Sequence, residues 1–189
     1  MIMKEDIDEV LKVLEKGGTI LYPTDTIWGI GCDATNKEAI ERVYQIKERD
    51  PDKSMLILVD YPARVERYIE EMPDIAWDLI EVTDKPLTII FPNAIHLPDN
   101  LIANDGSIGI RVTNDRFCQQ LITRFKRPIV STSANYSNQT FPANFSEIDR
   151  NIVDSVDYVV KWRQDEKKKT SPSGIIKLGP GGEVKVIRE

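Results

Sequence analysis

Gly17-Gly18-Thr19-Ile20-Leu21-Tyr22-Pro23-Thr24-Asp25-Thr26 decides the architecture. Just upstream, Ile7, Val10, Leu11 and Leu14 recur at helical spacing, Asp6 with Glu9 resembles a capping box, and the glycine pair supplies a stop, so a helix is expected over residues 6–16. Residues 19–22 are β-branched or apolar and read as a strand. Pro23 has no ladder donor and turns the chain out, which delivers Thr24-Asp25-Thr26 to a sheet edge.

The alternation of helix and strand continues outward from there. Asn36 is a good cap for a helix reaching Glu48, with Ala39, Ile40, Val43 and Tyr44 inward, and Asp50-Pro51 ends it. Residues 55–59 form a continuous apolar strand, buried on both faces. Val65, Tyr68, Ile69 and Met72 mark a third helix, and Ala76, Leu79 and Ile80 a fourth after Pro73. Strands are expected at 87–91, 107–112, 129–133, 158–161, 175–178 and 184–187, and helices at 115–125 and around 147–153. Gly179-Pro180-Gly181-Gly182 is a hairpin turn. Interleaved elements argue α/β, and the terminal hairpin argues a mixed sheet. With 189 residues, no repeat and no linker-like shift in composition, residues 1–189 read as one domain.

Composition excludes several kinds of chemistry. Acidic side chains outnumber basic ones 31 to 25, a formal charge of −6, and 41% hydrophobic residues are too many for a disordered chain. No apolar run approaches the roughly 20 residues of a membrane span, and the N-terminus lacks a signal-peptide pattern, so a cytoplasmic protein without a membrane partner is expected. His96 is the sole histidine and Cys32 and Cys118 the only cysteines. Two-histidine and four-cysteine metal sites are thereby ruled out, no metal site made of protein side chains is expected, and triad chemistry would have to run through His96. His96 lies in a loop pattern and reads as a solvated residue.

Three segments carry groups suited to a polyanion. Lys47 continues the inward stripe of its helix at the C-terminal end, and Arg49 and Lys53 follow it. Lys47 alone could be snorkelling, but three cations near one helix end suit a nucleoside triphosphate. In Ser107-Ile108-Gly109-Ile110-Arg111-Val112, the isoleucines and valine face one way. Ser107, Gly109 and Arg111 face the other, where a bare backbone and a guanidinium could hold a carboxylate or phosphate; a solvated face is the alternative. Ser131-Thr132-Ser133-Ala134-Asn135 follows the apolar Ile129-Val130 and should emerge at a sheet edge. The familiar glycine-rich phosphate loops are absent.

These segments together resemble the YrdC/YciO family. Residues 22–31 (YPTDTIWGIG) are similar to its YPTDTxYGLG signature, Lys47-Glu48-Arg49 to its KxR, Pro86-Leu87-Thr88 to its PLT, residues 107–112 to its SxxxR strand, and Ser133-Ala134-Asn135 to its SAN. Pro172-Ser173-Gly174 and Ile187-Arg188 resemble the closing motifs. The resemblance runs collinearly over nearly the whole chain. It implies a curved mixed α/β sheet, antiparallel at its edges, with flanking helices and a large concave cleft. It also implies L-threonylcarbamoyladenylate synthase activity, in which L-threonine, bicarbonate and ATP with Mg²⁺ give threonylcarbamoyl-AMP and pyrophosphate, for a partner enzyme that modifies tRNA.

Carried over by position, the resemblance gives Lys47 and Arg49 the catalytic phosphate contacts. It places Thr26, Arg111, Ser131 and Ser173 around threonine, and Lys53, Ser107, Ser133, Asn135 and Arg188 around ATP. The chain departs from the pattern at Asp50, Lys85, Asn138 and Gly174. Two alternatives come with the resemblance. One is a non-catalytic module binding tRNA or double-stranded RNA, which needs a basic groove despite the charge of −6. The other is the carbamoyl-transfer domain of hydrogenase maturation proteins, whose added regions this chain cannot hold.

Overall fold

The computed structural model describes residues 2–167 and 169–189. Helix α1 (Ile2–Glu15) turns Ile7, Val10 and Leu14 inward, and its chain stops at Gly17, where φ is +75°. Strand β1 (Ile20–Tyr22) follows, fully buried. The capping box is not formed, because α1 begins four residues earlier than the pattern implied. Asp6 is instead buried inside the helix, where it accepts hydrogen bonds from the Tyr158 hydroxyl and from the Lys161 and Trp162 backbone N–H groups.

Strand β2 (Gly29–Gly31) was not legible, since Gly-Ile-Gly is poor strand material. Its small residues serve close packing: a Cβ on Gly31 would stand 2.3 Å from the Val130 carbonyl oxygen and 2.7 Å from the Tyr22 ring. Helix α2 (Lys37–Ile46) is capped by Asn36, whose side chain accepts from the Ala39 N–H. After β3 (Leu56–Val59), the expected third helix is replaced by a 3₁₀ turn at Pro62–Arg67. The reason is tertiary. Ile69 bridges to Ala94, and the Tyr68 carbonyl and Glu70 N–H pair with Ile95 and Asn93, so the backbone at 68–70 is used by the loop after β4 (Leu87–Phe91).

The remaining elements are α3 (Asp74–Val82), β5 (Ile108–Val112), α4 (Arg116–Phe125), β6 (Ile129–Ser133), α5 (Arg150–Ser155), β7 (Tyr158–Val159), β8 (Gly174–Leu178) and β9 (Val184–Arg188). Helix α5 begins later than its periodicity implied. A 3₁₀ turn occupies Phe145–Glu147, and Asp149 caps the helix by accepting from the Asn151 N–H.

The nine strands among the described residues join one mixed open sheet, in the order β7-β1-β2-β6-β3-β5-β4-β8-β9. The pairs β7–β1, β3–β5 and β4–β8 are parallel and the others antiparallel. Helices α1 and α4 pack on one another, and α4 packs on β3. Among the described residues, no helix is long and apolar enough to cross a membrane.

Candidate active site

Side chains alternate across β4 and β5, which separates two environments. Thr88 and Ile90 of β4 and Gly109 of β5 face a cleft of about 590 Å³, whose walls also include β2, β3, β6, β8 and β9. Among the expected site residues, Thr26, Arg49, Ser107, Ser131, Ser133 and Arg188 line this cleft. They come from loops and strands far apart in sequence.

The other five expected residues do not line it. Lys47, at the α2 C-terminus, is 1% exposed, and its ammonium donates to the carbonyls of Ser133 and, at 2.6 Å, Asn135. It therefore fastens the β6 exit to α2, and burial followed by the nearby Arg49 charge pulls its pKa down to about 7. Asn135 lies in that same turn and donates to the Tyr136 and Gln139 carbonyls. Lys53 reaches outward toward Asn138, 3.5 Å away. Ser173 is buried with its hydroxyl 2.8 Å from that of Thr88.

Arg111 lies one residue behind the cleft wall. It is 3% exposed, with Nη2 3.2 Å from Asp25 Oδ1 and 3.4 Å from the Thr24 hydroxyl, which in turn is 2.9 Å from the Thr26 hydroxyl. Asp25 is fixed from the other side, accepting from the Thr113 hydroxyl and the Asn114 N–H. Arg111 Nε is buried without a hydrogen-bond partner. Leaving such a donor unpaired is costly unless a ligand completes it.

The cationic end of the cleft is built on backbone carbonyls. Arg49 donates to the carbonyls of Lys53 and Ser54, and Arg188 donates twice to that of Ser173. Burial lowers both guanidinium pKa values, and for Arg188 the charge of Arg111 adds to the effect. Asp50 does not line the cleft: it is exposed and its carboxylate accepts from the Asp52 N–H, while its charge partly offsets the lowering of the Arg49 pKa. Asn138 takes φ of +67°, a left-handed conformation that asparagine adopts more readily than most residues other than glycine. His96 is exposed, with Nδ1 2.8 Å from the Arg67 carbonyl, and does not line the cleft.

Two charged lining residues escaped the sequence reading. Asp105 accepts from the N–H and hydroxyl of Ser107 and pairs with Lys177, and Lys177 and Ser107 hold its pKa at about 2. Its signal was an Asp two residues before a serine at a strand start, an Asx turn. Lys177 shares the inward face of β8 with Ile175. The lining residues thus include three cations, Arg49, Lys177 and Arg188, and one acid, Asp105. Among the described residues, no group of three His, Cys, Asp or Glu could hold a metal ion. Three separated cations and a row of hydroxyls suit an elongated anion carrying its own counterion.

The sequence pattern of the Sua5/YciO/YrdC family, described as "Telomere recombination", matches residues 12–189. The chain is 31% identical over 157 residues to threonylcarbamoyl-AMP synthase of Pseudoalteromonas translucida, covering 82% of this chain and 84% of that one. It is 34% identical over 180 residues to the putative threonylcarbamoyl-AMP synthase of Methanocaldococcus jannaschii, covering 93% and 83%. The fold matches P. abyssi Sua5 complexed with L-threonine at a TM-score of 0.81 and 22% identity, covering 91% of this chain. The chain spans half the length of that Sua5 protein.

Proposed function

The chain belongs to the Sua5/YciO/YrdC family, and from that membership we propose that it is an enzyme that joins L-threonine, bicarbonate and ATP into threonylcarbamoyl-AMP, releasing pyrophosphate. The observation that carries this reading is Arg111. A buried guanidinium braced by Asp25, with an unpaired Nε and the Thr26 hydroxyl one step beyond, suits the carboxylate of a small amino acid. Relatives named threonylcarbamoyl-AMP synthase, and a fold shared with a threonine-complexed protein, support the same substrate.

In the proposed reaction the amine of threonine adds to the carbon of bicarbonate with loss of water, giving a carbamate. A carbamate oxygen then attacks the α-phosphorus of ATP as the bond to the pyrophosphate oxygen breaks. No step calls for imidazole; the work is positioning and charge neutralisation. Arg49, Lys177 and Arg188 would face the phosphates, while Ser131, Ser133 and Ser107 present hydroxyls along the same cleft. Lys47 acts from beneath, holding the β6 turn that carries Ser133. Magnesium would arrive with the triphosphate, held mainly by phosphate oxygens and water, and would neutralise phosphate charge.

The product, a mixed anhydride, is reactive and suits transfer to tRNA by a partner enzyme. The test is pyrophosphate release by the purified chain with ATP, bicarbonate and Mg²⁺, with and without L-threonine. Threonine-dependent release is expected, and release indifferent to threonine refutes the reading.

A further inference from the structure

The back of the β4–β5 wall encloses a second space. A cavity of about 480 Å³ opens beneath α3, bounded by Val65, Trp77, Ile80, Leu87, Ile89 and Ile110. That volume lies within the range of small-molecule sites, and Thr83, Asn114 and Gln119 set polar groups among the apolar walls. The state of α3 shows why the space exists. Only Ala76 of its nine residues is buried, Ile75, Trp77, Leu79 and Ile80 are half-buried, and Val82 is 78% exposed. The helix stands off the sheet with its apolar side incompletely covered.

Charge selects the occupant. Between residues 68 and 84 the chain carries Glu70, Glu71, Asp74, Asp78, Glu81 and Asp84 with no lysine or arginine, six negative charges against a molecular total of −6. All six are exposed, and Glu81 also lines the cavity. Asp60, deeper in the wall, is paired with Arg64 at 2.7 Å, so it adds little net charge. Lys85 is the one lining cation. Exposed carboxylates act over about 8–10 Å at physiological ionic strength, comparable to the width of such a cavity. An apolar anion is therefore repelled at the mouth, and an apolar cation is drawn in.

We propose that the cavity under α3 binds a small molecule with an apolar, ring-sized body and a protonated amine, the body against Trp77, Ile80 and Leu87 and the amine at the acidic mouth beside Glu81. This site is separate from the cleft and stands independently of the reaction assigned there.

Titrating the full chain with 3-phenylpropylamine, and separately with 3-phenylpropionate, tests this by methyl and indole NMR. The amine should shift the Ile80, Leu87, Ile89 and Ile110 methyls and the Trp77 indole saturably, and bind at least about tenfold tighter than the acid. Filling the space with Ile80→Trp should abolish those shifts. Glu81→Lys, at an exposed position that leaves the packing alone, should weaken amine binding at least about threefold. Failure of the amine to saturate at millimolar concentration, equal binding of the acid, shifts confined to cleft residues such as Leu56 and Ile90, or unchanged affinity in Glu81→Lys would each overturn the proposal.

Discussion

A guanidinium kept out of water with one carboxylate beside it gains from that pair only while its other donors are also answered. Arg111 meets this condition in part, through Asp25 and Thr24, and leaves Nε open. Replacing it with lysine keeps the charge but removes the planar fork. Arg111→Lys should raise the KM for threonine by about tenfold or more, roughly 1.4 kcal/mol, and leave the KM for ATP within about twofold; equal losses for both substrates would place Arg111 elsewhere in the mechanism. Lys47 gives a prediction of another kind. Its folded pKa of about 7 lies below the unfolded value near 10.4. Between those values the unfolded chain holds the proton and the folded chain does not, so stability rises with pH across that window and levels off below about 7, where both states hold the proton. In denaturant titrations at pH 6.5 to 9.5, the wild-type chain should gain on Lys47→Met as pH rises; parallel curves would mean that Lys47 does not titrate there.

Elements are held as much by what is missing as by what is present. Strand β2 lies between β1 and β6 because Gly31 lets the Val130 carbonyl and the Tyr22 ring close over it. Gly31→Ala places a methyl against backbone that cannot move without breaking the pairing. It should cost about 3 kcal/mol or more, a fall of about 6–12 °C in Tm by calorimetry. The same strand shows where sequence reading ends. Long amphipathic elements such as α2 and α4, and the alternation of β5, were legible because one-sided burial writes a period into the chain. Strand β2 leaves no such period, because its fitness lies in contacts made by neighbours distant in sequence. The turn at Pro62–Arg67 misled for the converse reason: Val65, Tyr68, Ile69 and Met72 have helical spacing, but the backbone of 68–70 is claimed by residues 93–95. At the site, motif residues that present side chains to the cleft, Thr26, Ser131 and Arg188 among them, were found from sequence. The support of Lys47 for Ser133, and the pairing of Asp105 with Lys177, depend on chain crossings that no local pattern records.

The whole molecule divides its charge unevenly, with three cations lining the cleft and six carboxylates along residues 70–84, of which Glu81 lines the second cavity. A net charge of −6 therefore describes neither face. The cleft also draws its walls from Thr26 to Arg188, across both halves of a sheet whose strand order is far from chain order. A ligand that touches both ends must therefore stabilise the fold as a unit instead of one lobe, because no single segment can open without losing it. Ligand in about hundredfold excess over its Kd adds about 2.7 kcal/mol, which for a chain of this length is about 5–10 °C in Tm. ATP with Mg²⁺ and L-threonine should together raise a single, sharp unfolding transition by at least that amount. A transition that splits, with one component insensitive to ligand, would show that the two halves of the sheet unfold separately and that the cleft joins them less tightly than its geometry implies.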